Sequence, residues 1–594
     1  MAQTTTKSRS LPWDFLDDYR GELFSGRWPT LPQVFEISLR RFPDRPCFTV
    51  YEPGRVSLTY REAHERITAV ARHLRSLGVR PGDRVAVTGK NSPEWAVAYL
   101  GVLFAGAVVV PIDYQLHQEE IATLIRAGGA EVLFVDEERF DFFQAGAVPL
   151  KAVLSLARSK EPYLYSLAPP PGREQGQPAG EPVDQEEELP SVPVETPAAI
   201  LFTSGTTGHP KGVVLSHENL VADCFLAQAN LTLYHTDVFY ALLPLHHSYC
   251  MLAVFIESLS VGAETVFGKR VVISQVLHDL RAAKVTMFLG VPLLFNKLLA
   301  GIMRGIREKG PVVYGIIRIL MWKSGLVKKI TGINLGKRLF STVLEKASLS
   351  TIRICISGGG PLAPSVFRAY NQLGIDFIQG YGLTETSPIL TLNPVERYKE
   401  TSVGKVLPET DIRIIDADER GVGEIVVKGP MVMQGYYEMP RETAQVFTDD
   451  GYFRTGDMGY LDDEQYLYLT GRAKNLIVSE GGKNVYPEEI ENAFQLYDEI
   501  AQILVRGYQS ERTPGAELIE ALVYPNRDFF AAGAPGGAGP DQEASSREVE
   551  ARIKAIVDEV NKRLQPYQRI SRTQLVEQEM ATTSTKKIKR DTVD

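Results

Sequence analysis

The feature that most constrains the fold is an alternation of short apolar runs and amphipathic helices between Ser57 and Asp136. Thr59 and Glu62 stand at the spacing of a capping box, and Ala63, Ile67, Val70 and Leu74 recur on one face of the helix that follows, which stops near Gly78. Arg84–Thr88 then reads as a strand, Glu94–Gly106 as an apolar helix and Ala107–Ile112 as a second strand; a helix at 118–126 and a strand at Val132–Asp136 continue the alternation. Strands this apolar need cover on both faces, so the expected fold class is α/β, with mixed, mostly parallel sheets covered by helices. At 594 residues the chain exceeds what one core holds, and at least one further domain is expected.

A second stretch points to chemistry. Ala198–Phe202 reads as a buried strand, and Thr203, Ser204, Gly205, Thr206, Thr207, Gly208, His209, Pro210 and Lys211 follow it. Glycines let backbone amides converge on an anion, hydroxyls add neutral donors and the lysine adds a point charge, so the loop is suited to phosphate. It does not fit G-x-x-x-x-G-K-[ST], which argues against the usual P-loop hydrolase. Later motifs are QGYGLTETS at 379–387, FRTGD at 453–457, GRAKNLIVSEGGKNVYPEEIE at 471–491 and ATTSTKKIKR at 581–590. Gly358, Gly360 and Ala363 satisfy G-x-G-x-x-A, with Asp376 near the spacing of a ribose-binding acid. That motif stands alone rather than opening a dinucleotide-binding half, and it reads as a decoy.

Taken together, these motifs resemble those of the adenylate-forming enzymes: the acyl-CoA synthetases, luciferases and peptide-synthetase adenylation domains. The resemblance runs through roughly residues 30–590. It implies a large N-terminal ATP- and acyl-binding domain, 1–470, and a small mobile C-terminal α+β domain, 471–594, with a hinge at Lys474. Within the first, Thr203 to Gly208 and Lys211 would hold phosphate, while Gly359, Gly360, Gln379, Gly380 and Gly382 would surround an adenine faced by Tyr381. The same resemblance gives Thr384 the α-phosphate or substrate carboxylate, Glu385 with Thr203 a magnesium ion, Asp457 the ribose hydroxyls and Arg472 ribose or phosphate. His247, Val291 and Pro292 would line an acyl pocket, Gly481 and Gly482 a CoA channel, and Lys587 would reach the bridge between carboxylate and α-phosphate.

ATP, Mg2+ and CoA are the implied cofactors and co-substrates. Lys586 stands where the family usually has glycine, which resembles the T-x-K-[LI]-K-R ending of some long-chain synthetases. A long-chain fatty acid is therefore the expected acid. A fatty-acyl-AMP or acyl carrier protein ligase, and a nucleotide-responsive fatty-acid-binding protein without turnover, are the alternatives.

Composition limits the partners. A formal net charge of −9 argues against nucleic acid, and Cys47, Cys224, Cys250 and Cys355 are too far apart for a metal motif and read as reduced thiols. No apolar run is long enough to span a membrane, so a cytoplasmic protein is expected, with room for peripheral contact at the inner face of a membrane. The segment 301–340 is apolar and basic. It is able to lie on an anionic bilayer, but the balance favours a helix whose apolar residues serve a core or tunnel and whose basic side faces water. Residues 158–195, rich in proline, glycine and acids, read as a solvated connection. His246 reads as a hydrogen-bonded pocket residue rather than a metal ligand.

Overall fold

The computed structural model describes residues 11–52, 54–167, 189–203, 210–269, 272–478, 483–509, 517–531, 546–582, 588 and 590. Helix α1 (Tyr60–Ser76) begins at the capping box: the Glu62 N–H donates to Thr59 Oγ1 at 3.2 Å and the Thr59 N–H donates to Glu62 Oε2 at 2.8 Å. A cap of this kind contributes about 1 kcal/mol. The face carrying Tyr60, Ala63, Ile67, Val70 and Leu74 is buried. It packs on the helix Pro93–Phe104 so closely that a Cβ at Gly101 would stand 2.5 Å from Val70 Cγ1.

Among the described residues the large region holds a seven-stranded and a thirteen-stranded sheet. The seven-stranded sheet is parallel through Arg84–Thr88, Val108–Ile112, Ala130–Val135 and Ala152–Ser155. It then takes in β1 (Pro197–Thr203), and the chain turns straight back as β2 (Lys211–Ser216), antiparallel, with Thr203 paired to Lys211. Residues 204–209 therefore connect the two arms of a hairpin.

In the other sheet, β3 (Met287–Gly290) leads into helix α2 (Pro292–Arg307), and helix α3 (Pro311–Thr331) follows. Next come β4 (Ile354–Ser357), helix α4 (Pro364–Leu373) and β5 (Asp376–Gly382). Strands β3, β4 and the first half of β5 are parallel, and from Gly380 onward β5 pairs antiparallel with β6 (Ile389–Leu392). Later, β7 (Gly435–Tyr436) returns to the edge of β2 in the seven-stranded sheet. Strands β8 (Phe453–Leu461) and β9 (Tyr466–Arg472) then form an antiparallel pair in the thirteen-stranded one. Two packed sheets with helices make the α/β class that the chain's rhythm predicts, although everything from Gly380 to Arg472 in the larger sheet pairs antiparallel.

Beyond β9, helix α5 (Pro487–Asn492) and the helix Ser546–Asn561 pack on a three-stranded sheet, Ile500–Gln509, Glu517–Pro525 and Arg572–Leu575. Ile490, Phe494, Val505, Val523, Ile553 and Val560 form a core separate from the others.

Three expectations need correction. Residues 158–167 are not wholly solvated chain, because Tyr163 and Leu164 are buried in the core and Tyr165 and Leu167 pack against it, while 168–188 lie outside the described residues. Apolar side chains ahead of the proline-rich run account for this. The insert FFAAGAPGGAGPDQEASS at 529–546 reads in the sequence as a loop, but Phe529, Phe530 and Ala531 belong to a short helix, Arg527–Ala531. Finally, the outward side of α3 is apolar as well as basic: Ile316, Ile319, Trp322 and Leu326 are exposed beside Arg318, Lys323 and Lys329, while Lys328 is buried.

Candidate active site

The end of β1, the start of β2 and the connections after β4 and β5 border one cleft, which residues of β7, β8 and β9 also line. Of the residues singled out in the sequence, Thr203, Lys211, His247, Val291, Pro292, Gly359, Gly360, Gln379, Gly380, Tyr381, Gly382, Thr384, Glu385, Asp457, Arg472 and Lys474 all border it. Ser204, Gly205, Thr206, Thr207, Gly208, Gly481, Gly482, Lys586 and Lys587 lie outside the described residues.

On one wall, pairing with β2 brings Tyr436 of β7 beside Lys211. The Lys211 ammonium stands 4.8 Å from the Tyr436 ring centre, and the Tyr436 hydroxyl donates to Glu385 Oε1 at 3.1 Å. Burial pushes the Glu385 carboxyl above the ordinary carboxylate range, and the Tyr436 hydrogen bond opposes that shift. Its neighbour Thr384 shares a 3.2 Å hydroxyl contact with Ser248. Tyr436 and Ser248 were not legible as site residues: a tyrosine in QGYYEMP and a serine after two histidines carry no pattern of their own.

The opposite wall is a closed polar corner. Asp457 and Arg472 face each other in the β8–β9 register, with Arg472 Nε 2.9 Å from Asp457 Oδ1, while the Tyr381 hydroxyl donates to Asp457 Oδ2 at 2.7 Å. The nearby carboxylate raises the Arg472 guanidinium. Burial, followed by the same carboxylate, holds the Tyr381 phenol well above its usual value. Two donors occupy two of the four acceptor positions of Asp457, which leaves two for a vicinal diol.

Backbone shape matters at two places. Gly359 has φ +77°, in the left-handed region that favours glycine. At Gly382 a Cβ would fall 1.5 Å from the Pro388 carbonyl oxygen, so only glycine lets the 379–387 loop fold over β6. The decoy is resolved by Asp376, which accepts from Lys328 Nζ at 2.6 Å and Asn334 Nδ2 at 3.1 Å and does not line the cleft.

His247 is the cap of the short helix Ser248–Cys250, its Nδ1 accepting from the Tyr249 N–H at 3.3 Å. His246 Nε2 lies 3.4 Å from Asp113 Oδ2, a carboxylate far away in sequence. The four cysteines are buried and none forms a disulfide. The tail is pinned just beyond Lys587: Arg590 Nη2 meets both carboxylate oxygens of Glu491 on α5, at 2.6 and 2.7 Å, and its Nη1 donates to the Val505 carbonyl at 2.8 Å.

The family model described as AMP-binding enzyme matches residues 35–437. The chain belongs to the AMP-binding enzyme family. Feruloyl-CoA synthase from Amycolatopsis is 31% identical to this AMP-binding enzyme, over 84% of this chain and 88% of that one. The long-chain-fatty-acid–CoA ligase FadD15 of Mycobacterium bovis is also 31% identical, over 78% of each chain. Among solved structures, the O-succinylbenzoate coenzyme A synthetase of Bacillus subtilis in complex with ATP and magnesium superposes with a TM-score of 0.69, at 22% identity, covering 94% of this chain and 98% of that one. This last likeness bears on the fold.

Proposed function

We propose that this AMP-binding enzyme joins a carboxylic acid to CoA through an acyl-adenylate, and that the acid is a long-chain fatty acid. The observation that carries the reading is the single cleft in which Lys211, Tyr436, Glu385 and Thr384 gather on one wall and Tyr381, Asp457 and Arg472 on the other. One wall offers cationic and hydroxyl groups to phosphate, and the other an aromatic face and a carboxylate to a nucleoside.

In the first half-reaction the acid's carboxylate attacks the α-phosphorus of ATP and expels pyrophosphate. Lys211 and the Thr384 hydroxyl offset the charge that develops on phosphate, and Arg472 and Asp457 hold the nucleoside still. Magnesium would arrive with ATP. Among the described residues no group of three His, Cys, Asp or Glu side chains is placed to hold a metal ion, but this cation is usually held by one or two carboxylates plus phosphate oxygens, and Glu385 with Thr203 would hold it here. A divalent charge there would favour the ionised form of Glu385 and shield phosphate from it. In the second half-reaction CoA thiolate attacks the acyl carbonyl and AMP leaves. Lys587 serves only the first half in this scheme, with the small C-terminal domain turning about Lys474 between the two.

Pyrophosphate release with Mg-ATP across acids of increasing chain length and with ferulate, each with and without CoA, tests this directly. The expected result is release that peaks with a long-chain acid and turns over repeatedly only with CoA. A peak with ferulate overturns the acid and keeps the ligase; release without CoA-thioester moves the acceptor to a carrier protein. In the same assay Lys587→Ala should abolish adenylation from free acid and spare thioester formation from preformed acyl-adenylate.

A further inference from the structure

Helix α3 is built inside out. Towards the core it presents Met321, Ser324 and Lys328, and Lys328 Nζ is fixed there by Asn371 Oδ1 at 2.7 Å and Asp376 Oδ1 at 2.6 Å. The opposite face carries Val312, Ile316, Ile319, Trp322, Leu326 and Ile330, all exposed, with Val312 and Ile330 at 73% and Trp322 at 59%. At about 100° per residue these six fall within an arc of roughly 120°, a continuous stripe along a helix about 31 Å long. Ile333, Leu335 and Leu339 extend the exposed apolar surface past its end. A patch of this size is not ordinary surface; it marks something that covers it.

Charge identifies the covering. From Pro311 to Leu339 the sequence has no aspartate or glutamate, and Arg318 and Lys329 are exposed along one edge of the stripe, Lys323 within its arc and Arg338 past the end of the helix, in a chain whose net charge is −9. A second copy of the chain packed about a two-fold axis would bring this all-cationic face onto itself, with like charges opposed. An anionic bilayer offers both complements at once, acyl chains for the stripe and phosphates for its rim. Among the described residues no helix is long and apolar enough to cross a membrane, so the contact is interfacial.

We propose that α3 docks this protein on anionic lipid, with Ile316, Ile319 and Trp322 in the headgroup–acyl boundary and Lys323 and Lys329 at lipid phosphates. The adjoining helix α2 carries Leu293 and Asn296 on the cleft wall, so the docked face lies one helix from the cleft. Docking itself does not depend on which acid the cleft takes.

Co-sedimentation of the full chain with phosphatidylcholine vesicles, with and without phosphatidylglycerol, is the test. The expected result is binding that requires phosphatidylglycerol and falls with added salt. Lys323→Glu/Lys329→Glu should weaken it by at least about thirtyfold, from two lost phosphate contacts. Ile319→Asp/Trp322→Asp should abolish it with the thermal transition unchanged, and ATP-dependent pyrophosphate release with a short soluble acid should be unchanged in both variants. No binding at low salt, or binding that both variants retain, overturns the proposal. Dimerisation lost in Ile319→Asp/Trp322→Asp without any lipid binding overturns it in favour of a second copy.

Discussion

Helix α1 turns Ala63, Ile67 and Leu74 into the core and its charged side chains to water, whereas α3 buries Ser324 and Lys328 and shows Ile316, Ile319 and Trp322 to solvent. Both have an apolar side at helical spacing. Periodicity reports that a helix has two faces, and it does not report which one the rest of the chain will claim. For α1 the facing helix Pro93–Phe104 is buried and almost wholly apolar, so the apolar face goes in. For α3 the neighbouring α4 and β5 offer Asn371 and Asp376, and the lysine that satisfies them sets the helix's rotation.

The sharpest way to break this comparison is to place a charge on each apolar face. Ile67→Asp should cost about 4 kcal/mol in urea unfolding, because the carboxylate enters a closed core without a partner. If Ile67→Asp were tolerated, the contrast between the helices would be wrong at its root. Next in size is Lys328→Met, expected to cost about 2 kcal/mol by leaving Asp376 uncompensated, discounted because Asp376 keeps some water contact. Adding Asp376→Asn should recover most of that loss; no recovery would mean that another contact sets the rotation of α3.

Lys328 has a counterpart outside both helices, Glu257 in the helix Glu257–Val261, and the two buried ionisable groups are kept differently. Lys328 has an anion, while Glu257 accepts from Gln228 Nε2 at 2.9 Å and is pushed by burial to about 8. A raised carboxyl stabilises the fold fully below its unfolded value near 4.5, and that contribution drains away as pH climbs towards about 8. The slope for one such group is at most about 1.4 kcal/mol per pH unit. Unfolding free energies measured across this window should fall with pH, and Glu257→Gln should flatten the fall; an unchanged slope would assign it to other groups. The smallest effect should be that of Ile319→Asp, within about 0.5 kcal/mol of the parent. A loss there approaching that of Ile67→Asp would show the stripe to be covered by protein in solution.

Much of this was legible in the sequence. The capping box at Thr59 and Glu62 gave α1 to the residue, and the separation of Lys211, Glu385, Asp457 and Arg472 along the chain did not hide that they share a cleft, because each sits in a motif of its own. What was not legible depended on pairing between distant strands. Tyr436 reaches Glu385 only because β7 joins the edge of β2, and His246 meets Asp113 only because two separate turns converge. The direction of α3 was unreadable for the same reason, since it hangs on Asp376, forty-eight positions beyond Lys328.

Strand β5 has a bearing on redesign. Its first half is bonded to β4 in parallel and its second half to β6 in antiparallel fashion, with Gln379 and Gly380 astride the change. Gln379 and Gly380 are thus the weld between two architectures rather than part of a cassette resting on either. A chimera cut inside β5 would have to carry one parent's parallel ladder straight into the other parent's antiparallel ladder within a single strand, so exchanges between relatives should be cut outside Ile354–Leu392.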